Sequence, residues 1–171
     1  FDVEQLPTHG GSLRIYARHD DDASKPVRDS VHALRQEELD AGYEEPDVYL
    51  AYAEKVRETK RQLLSFLIEA KRAGKTIVGY GAPAKGNTLL NYCGIRKDFL
   101  DYTVDISPVK QGLLLPGTHI PVYEPEKIAE TKPDYVLILP WNLKDEIMNQ
   151  MAHIREWGGK FVVAIPELEV I

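Results

Sequence analysis

From residue 75 onward the chain alternates short apolar runs with helical segments, and this alternation constrains the fold more than any other feature of the sequence. Residues 76–81, 102–106, 135–139 and 161–165 read as strands, with a shorter one over 119–123. Helices are predicted over 85–92, closed by Gly94, over 125–131 with Pro125 in the first turn, and over 142–157, ended by Gly158-Gly159. The run 135–139 is apolar at every position rather than at every second one, the pattern of a strand covered on both faces. Strands of this kind, joined through helices, build a parallel sheet with helices on both faces. The expected class is α/β, with a Rossmann-like parallel sheet.

Ahead of that region come a hairpin and a long helix. Phe1, Val3 and Leu6, then Leu13, Ile15 and Ala17, alternate with polar residues on either side of Thr8-His9-Gly10-Gly11, which predicts an antiparallel hairpin. Residues 19–28 are polar and acidic, contain Pro26 and read as a linker. Ser30 is the expected N-cap of a helix that reaches Ala41 and stops at Gly42. A longer helix should start at Pro46 and Asp47 and end at Gly74, after Lys71 and Arg72 have met the negative end of its dipole. Tyr49, Ala53, Val56, Leu63, Leu67 and Ala70 form its apolar stripe, widened by Leu64 and Ile68 and interrupted by Lys60, and packing is its expected role.

Composition removes several functions. A net charge of -6 argues against general nucleic-acid binding, which needs a basic surface. No window approaches the run of about 20 apolar residues that crosses a bilayer. Cys93 is the only cysteine, so an intrachain disulfide and an all-cysteine metal site are impossible, and a reducing compartment, the cytoplasm, fits. A small apolar role on a helix suits Cys93 better than a nucleophilic one. The five histidines show no metal-ligand spacing, and Glu124, Glu126 and Glu130 suit the dipole of the helix they surround. Because the chain opens on Phe1 and an alternating pattern, with no leader sequence, it reads as cut from a longer protein.

The strongest chemical signal follows the first strand of the alternating region. Gly79-x-Gly81-x-x-Ala84 fits the dinucleotide-binding pattern: Gly79 for a tight turn, Gly81 for approach of a phosphate, Ala84 for close helix packing. The helix start, with Ala82 ahead of it and Gly86 in its first turn, offers N–H groups, with Lys85 as a cation and Asn87, Thr88 and, one turn on, Asn91 as polar groups. Asp105 ends the second strand, where an acid takes a ribose hydroxyl. Pro83 inside the turn and Lys85 after it depart from an NAD site, so a turn holding a single diphosphate stands beside a dinucleotide cleft. On this reading Gly81→Val abolishes nucleotide binding and leaves the fold mostly intact.

Ligands of open parallel sheets bind beyond the C-terminal strand ends. Ser107, Lys110, Gln111, Trp141 and Asn142 fall there. Trp141 suits either stacking a base or capping the core; Asn142 suits capping its helix or contacting a ligand; Lys110 suits a ligand contact if its loop folds back, and solvent otherwise. No Ser-His-Asp or Cys-His set can be assembled.

The segment 79–91 (Gly-Tyr-Gly-Ala-Pro-Ala-Lys-Gly-Asn-Thr-Leu-Leu-Asn), with 105–112, 116–122, Pro140-Trp141-Asn142 and the early 8–14, resembles the C-terminal region of the S-adenosylmethionine-dependent sugar C-methyltransferases. The likeness covers nearly the whole chain. It implies a nucleotide-diphosphate keto-deoxysugar of the dTDP type as substrate, bound in part by this chain. S-adenosylmethionine and zinc are then held upstream, with no cofactor in this chain, and the upstream methyltransferase domain is its partner. Residues 1–24 would be the last hairpin of that domain plus a linker, and 25–171 the substrate-binding domain. His9, inside the shared early segment, joins the candidate substrate contacts, and the chain alone should be inactive. The alternative is an NAD(P)-binding oxidoreductase domain, for which no Ser/Tyr/Lys or His/Asp hydride-transfer set is evident.

Overall fold

The computed structural model describes residues 1–171, which divide into two compact units, 1–55 and 56–171. In the first, β1 (Asp2–Leu6) and β2 (Ser12–Tyr16) form the predicted antiparallel hairpin, joined through a single 3-10 turn at Thr8–Gly10. Leu13 and Ile15 stay exposed, Ile15 at 74%. Helix α1 (Asp29–Asp40) follows, with Arg28 and not Ser30 at its N-cap. Ser30 lies inside the helix, where its hydroxyl donates to Asp2 Oδ1 at 2.7 Å, so a tertiary partner has taken the group that sequence assigned to capping.

Helix α2 (Pro46–Arg72) begins in the first unit and ends in the second. Only Leu63, Leu67 and Ala70 of its stripe are buried; Tyr49 is 59% exposed. The helix ends as predicted: Gly74 N–H donates to Lys71 O at 3.0 Å and Lys75 N–H to Ala70 O at 2.9 Å, which satisfies carbonyls of the last turn.

The second unit is built on a six-stranded sheet: β3 (Ile77–Tyr80), β4 (Thr103–Val104), β5 (Val122–Tyr123), β6 (Tyr135–Ile138), β7 (Lys160–Val163) and β8 (Glu169–Val170). Their order, β5-β4-β3-β6-β7-β8, is the doubly wound 3-2-1-4-5-6 arrangement counted along the sheet's own strands. Five strands are parallel; β8 returns antiparallel on β7, so the sheet is mixed. The sequence did not announce β8, a two-residue strand too short to carry a period.

Residues alternate between two cores. Ile77, Leu137 and Val162 pack with Leu63 and Leu67 of α2 and with Leu89 and Leu90 of α3 (Ala84–Cys93). Val78, Val136 and Phe161 pack with Ile128 of α4 (Lys127–Thr131) and Ile147 of α5 (Lys144–Gln150). Each fully buried side chain of this kind contributes about 1.5–3 kcal/mol relative to exposure. Cys93 is buried at the end of α3, and burial raises its thiol pKa, in keeping with the packing role. The predicted helix 142–157 is three pieces: a 3-10 turn at Trp141–Leu143, α5, and a 3-10 stretch at Ala152–Trp157. The residue that breaks it, Met151, has φ -103° and ψ 20° and is buried in the second core. No helix is long and apolar enough to cross a membrane.

Candidate ligand-binding site

The strand order reverses between β3 and β6, and the loops leaving β3, β4 and β6 enclose a cleft of about 320 Å³. Gly81, Asp105 and Lys110 line it, as do Pro140, Leu143 and Ile147. Tyr80 reaches it from β3: its hydroxyl donates to Gln150 Oε1 at 3.3 Å, and Gln150 Nε2 donates to Glu146 Oε1 at 3.0 Å. Burial, then the charges of Asp105 and Glu146, raise the Tyr80 pKa, so the phenol stays protonated. Sequence reasoning missed Tyr80, Glu146 and Gln150. The last two stand about one and two turns into the predicted 142–157 helix, away from any strand end, and no local pattern marks them.

The glycines answer to packing. A Cβ on Gly81 would lie 2.6 Å from Pro140 Cδ, and Gly81 has φ +89°. A Cβ on Gly79 would lie 2.7 Å from Thr103 Oγ1, and one on Gly86 would lie 2.7 Å from Leu139 Cβ. Gly79 thus lets β4 approach within the strand, rather than serving a tight turn, and Gly86, not Ala84, is where α3 comes close to the sheet. Gly81 meets a proline where a phosphate was expected, so Gly81→Val is not a mild change to the fold. Thr103 Oγ1 donates to Gly81 O at 2.8 Å and fixes the turn from beneath.

Asp105 is a latch. Its carboxylate accepts from Ala82 N–H at 2.7 Å, from Ser107 N–H at 2.9 Å and from Lys110 Nζ at 3.1 Å. Burial pushes its pKa up, but the Ser107 and Ala82 amides and the Lys110 ammonium outweigh burial and hold it below the usual range. Gln111 Nε2 donates to Asp105 O at 2.9 Å. The loop after β4 does fold back, and Lys110 and Gln111 are used to hold it.

A second group gathers at the start of α3. Lys85 Nζ stands 4.6 Å from the Trp141 ring centroid and hydrogen-bonds Asn142 Oδ1, which brings three of the sequence's candidates together. Asn142 therefore does not cap a helix; Leu143 holds the N-cap position of α5. Pro83 is the N-cap of α3 and Asn87 N–H, bonded to Pro83 O at 3.0 Å, is the first in its ladder, so the amides of Ala84, Lys85 and Gly86 precede it. Thr88 bonds back to Ala84 O at 3.1 Å. Asn91 donates to Asn87 O at 2.9 Å and Pro116 O at 3.0 Å, tying the 116–119 loop to the helix. His9 sits on the exposed hairpin turn of the first unit, with φ 56°. No group of three or more His, Cys, Asp or Glu side chains is placed to hold a metal ion.

Sheet order and crevice define the second unit as a Rossmann-type α/β domain. The profile of the C-methyltransferase C-terminal domain family matches residues 7–166, and the chain belongs to that family. It is 37% identical over 170 residues to the C-methyltransferase NovU of Streptomyces niveus, a match that takes in 99% of this chain and 40% of that protein. The chain thus spans well under half the length of that relative. Among solved structures, UDP-D-quinovosamine 4-dehydrogenase from Vibrio fischeri superposes with a TM-score of 0.41 at 20% identity, over 57% of this chain and 93% of that one.

Proposed function

We propose that this chain is the substrate-recognition part of an S-adenosylmethionine-dependent C-methyltransferase acting on a keto-deoxysugar carried by a nucleoside diphosphate of the dTDP type. Family membership supports the reaction class, and the cleft beyond the strand ends, with Lys110 at its wall, is the observation that favours ligand binding by the second unit. Its volume lies at the lower end of small-molecule sites, enough for part of a nucleotide-sugar. On this reading an upstream part of the protein holds S-adenosylmethionine, which supplies the methyl group, and also zinc and the catalytic base. The residues of this chain bind and orient the acceptor. Residues 1–24 then complete the upstream domain, 25–171 recognise the substrate, and the protein works in the cytoplasm.

The oxidoreductase reading loses ground to one contact. A dinucleotide site needs the Ala82 amide and the Asp105 carboxylate for the ligand, and here they bond each other at 2.7 Å. The test is methyl incorporation from radiolabelled S-adenosylmethionine into a dTDP-keto-sugar. The full-length protein should turn over and the 171-residue chain should not. Turnover by the chain alone, abolished by His9→Ala, would overturn the division of labour; NADH binding in preference to dTDP would overturn the reaction class.

A further inference from the structure

Asp105 is the only buried carboxylate of the chain, its side chain 9% exposed. An ionised carboxylate offers about four acceptor sites. The Ala82 and Ser107 amides and the Lys110 ammonium occupy three, and burial leaves little room for a ribose hydroxyl at the fourth. Two of these donors lie in different loops: Ala82 in the turn after β3, and Lys110, which lines the cleft, in the loop after β4. Thr103 and Gln111 brace the same arrangement through Gly81 O and Asp105 O. The Lys110 ammonium carries three donors, gives one to Asp105, and lines the cleft on a side chain that is 43% exposed.

We propose that Asp105 is a positioning residue for an anionic ligand: its carboxylate clamps the turn after β3 to the loop after β4 and aims Lys110, and the Lys110 ammonium meets the ligand's diphosphate. The inference rests on the nucleotide-sugar reading and reverses the role that strand-end acids take toward a ribose. A buried carboxylate already shared among two amides and an ammonium has no strong acceptor left for a hydroxyl. An ammonium held on one side only keeps two donors for phosphate oxygens, and charge-assisted bonds of that kind are the strong ones.

Calorimetric titration of the full-length protein with thymidine diphosphate, and with 3′-deoxythymidine diphosphate, which offers no sugar hydroxyl, decides the matter. Lys110→Met should weaken both ligands by about tenfold or more, and Lys110→Arg should restore most of the affinity, since the guanidinium also binds phosphate. Asp105→Asn should weaken both ligands equally. A ribose acceptor gives a different pattern: Asp105→Asn then weakens thymidine diphosphate and leaves its 3′-deoxy analogue unchanged, which overturns the proposal. A merely structural Asp105 would lower the melting temperature without changing either affinity, and that also overturns it. Should Asp105→Asn fail to fold, Lys110→Met decides alone, unchanged affinity being the refuting result. If the wild-type protein binds neither nucleotide, the nucleotide-sugar reading itself fails and this inference with it. If it binds both and Lys110→Met is silent, only the roles of Asp105 and Lys110 fall.

Discussion

Gly81→Ala is the substitution that best separates a turn shaped by packing from a turn shaped by a phosphate. The added methyl would sit 2.6 Å from Pro140 Cδ and 2.9 Å from Pro140 Cγ, far inside van der Waals contact. It would also hold an alanine at φ +89°, which costs about 1–2 kcal/mol for an L-residue. Forcing a methyl into a filled site adds about 1–3 kcal/mol. The sum, roughly 2–5 kcal/mol, is a large share of the 5–15 kcal/mol that domains commonly possess. Neither neighbour can yield cheaply, because Pro140 is a ring and Leu139 N–H is bonded to Tyr80 O at 3.0 Å in the adjoining backbone. Urea unfolding of wild type, Gly81→Ala, Pro140→Ala and the double variant isolates the contact as a cycle. With Pro140 shortened, Gly81→Ala should cost only the backbone share, leaving a coupling of about 1–3 kcal/mol. A cost below about 0.5 kcal/mol with no coupling would refute the reasoning and return Gly81 to the ligand.

Asp134 accepts from Lys75 Nζ at 2.8 Å and from the Thr76 amide at 2.9 Å, bonds that lower its pKa from 3.8 to about 2. Stability from a carboxylate depressed in this way is complete above the unfolded value and lost as pH falls from about 4 to about 2. After discounting for its solvent exposure we expect about 1 kcal/mol, so Asp134→Asn should flatten the acid limb of the stability curve, and an unchanged limb would refute the assignment. Lys85→Met removes the ammonium from the Trp141 ring and from Asn142; it should cost no more than about 1 kcal/mol and shift tryptophan emission, whereas a silent spectrum would mean the ring contact does not persist in solution. Ile15→Asp should change the stability of the 171-residue chain by less than about 0.5 kcal/mol in urea unfolding, and a larger loss would mean that Ile15 has a partner within the chain.

The elements that sequence made legible are those whose signal is local. Residues 135–139 had to be a covered strand because no face is polar, and Gly94 ended α3 because a left-handed residue was due there, with φ +75°. Where the deciding partner lies far along the chain, the reading failed. Ser30 looks like a cap until Asp2, 28 residues away, takes its hydroxyl. Asn142 looks like a cap until Lys85, 57 residues away, takes its carboxamide. The apolar stripe of α2 predicted packing along its length, yet Tyr49 and Ile68 are exposed, since periodicity gives a face its character without supplying the surface that covers it.

The candidate site divides along the same line. In sequence the strand, turn, helix and strand-end acid stand in register, and in the structure Gly81, Asp105 and Lys110 line one cleft. What was not legible is the partner each group meets within the chain. The pattern Gly79-x-Gly81-x-x-Ala84 was explained by a ligand, but Thr103, Pro140 and Leu139 each forbid a side chain at one of the local glycines, and all three are brought there by β4 and β6. A glycine-rich turn therefore has two physical origins that look identical in one dimension. What separates them is the state of the backbone donors. In a phosphate-holding turn the amides after the second glycine point at solvent or ligand; here the Ala82 amide is spent on Asp105, and the first amides left ahead of the helix ladder belong to Ala84, Lys85 and Gly86. The amides ahead of the helix ladder thus begin two residues beyond Ala82, because Pro83 has no N–H, and they lie beside Lys85, while the cleft wall carries Lys110.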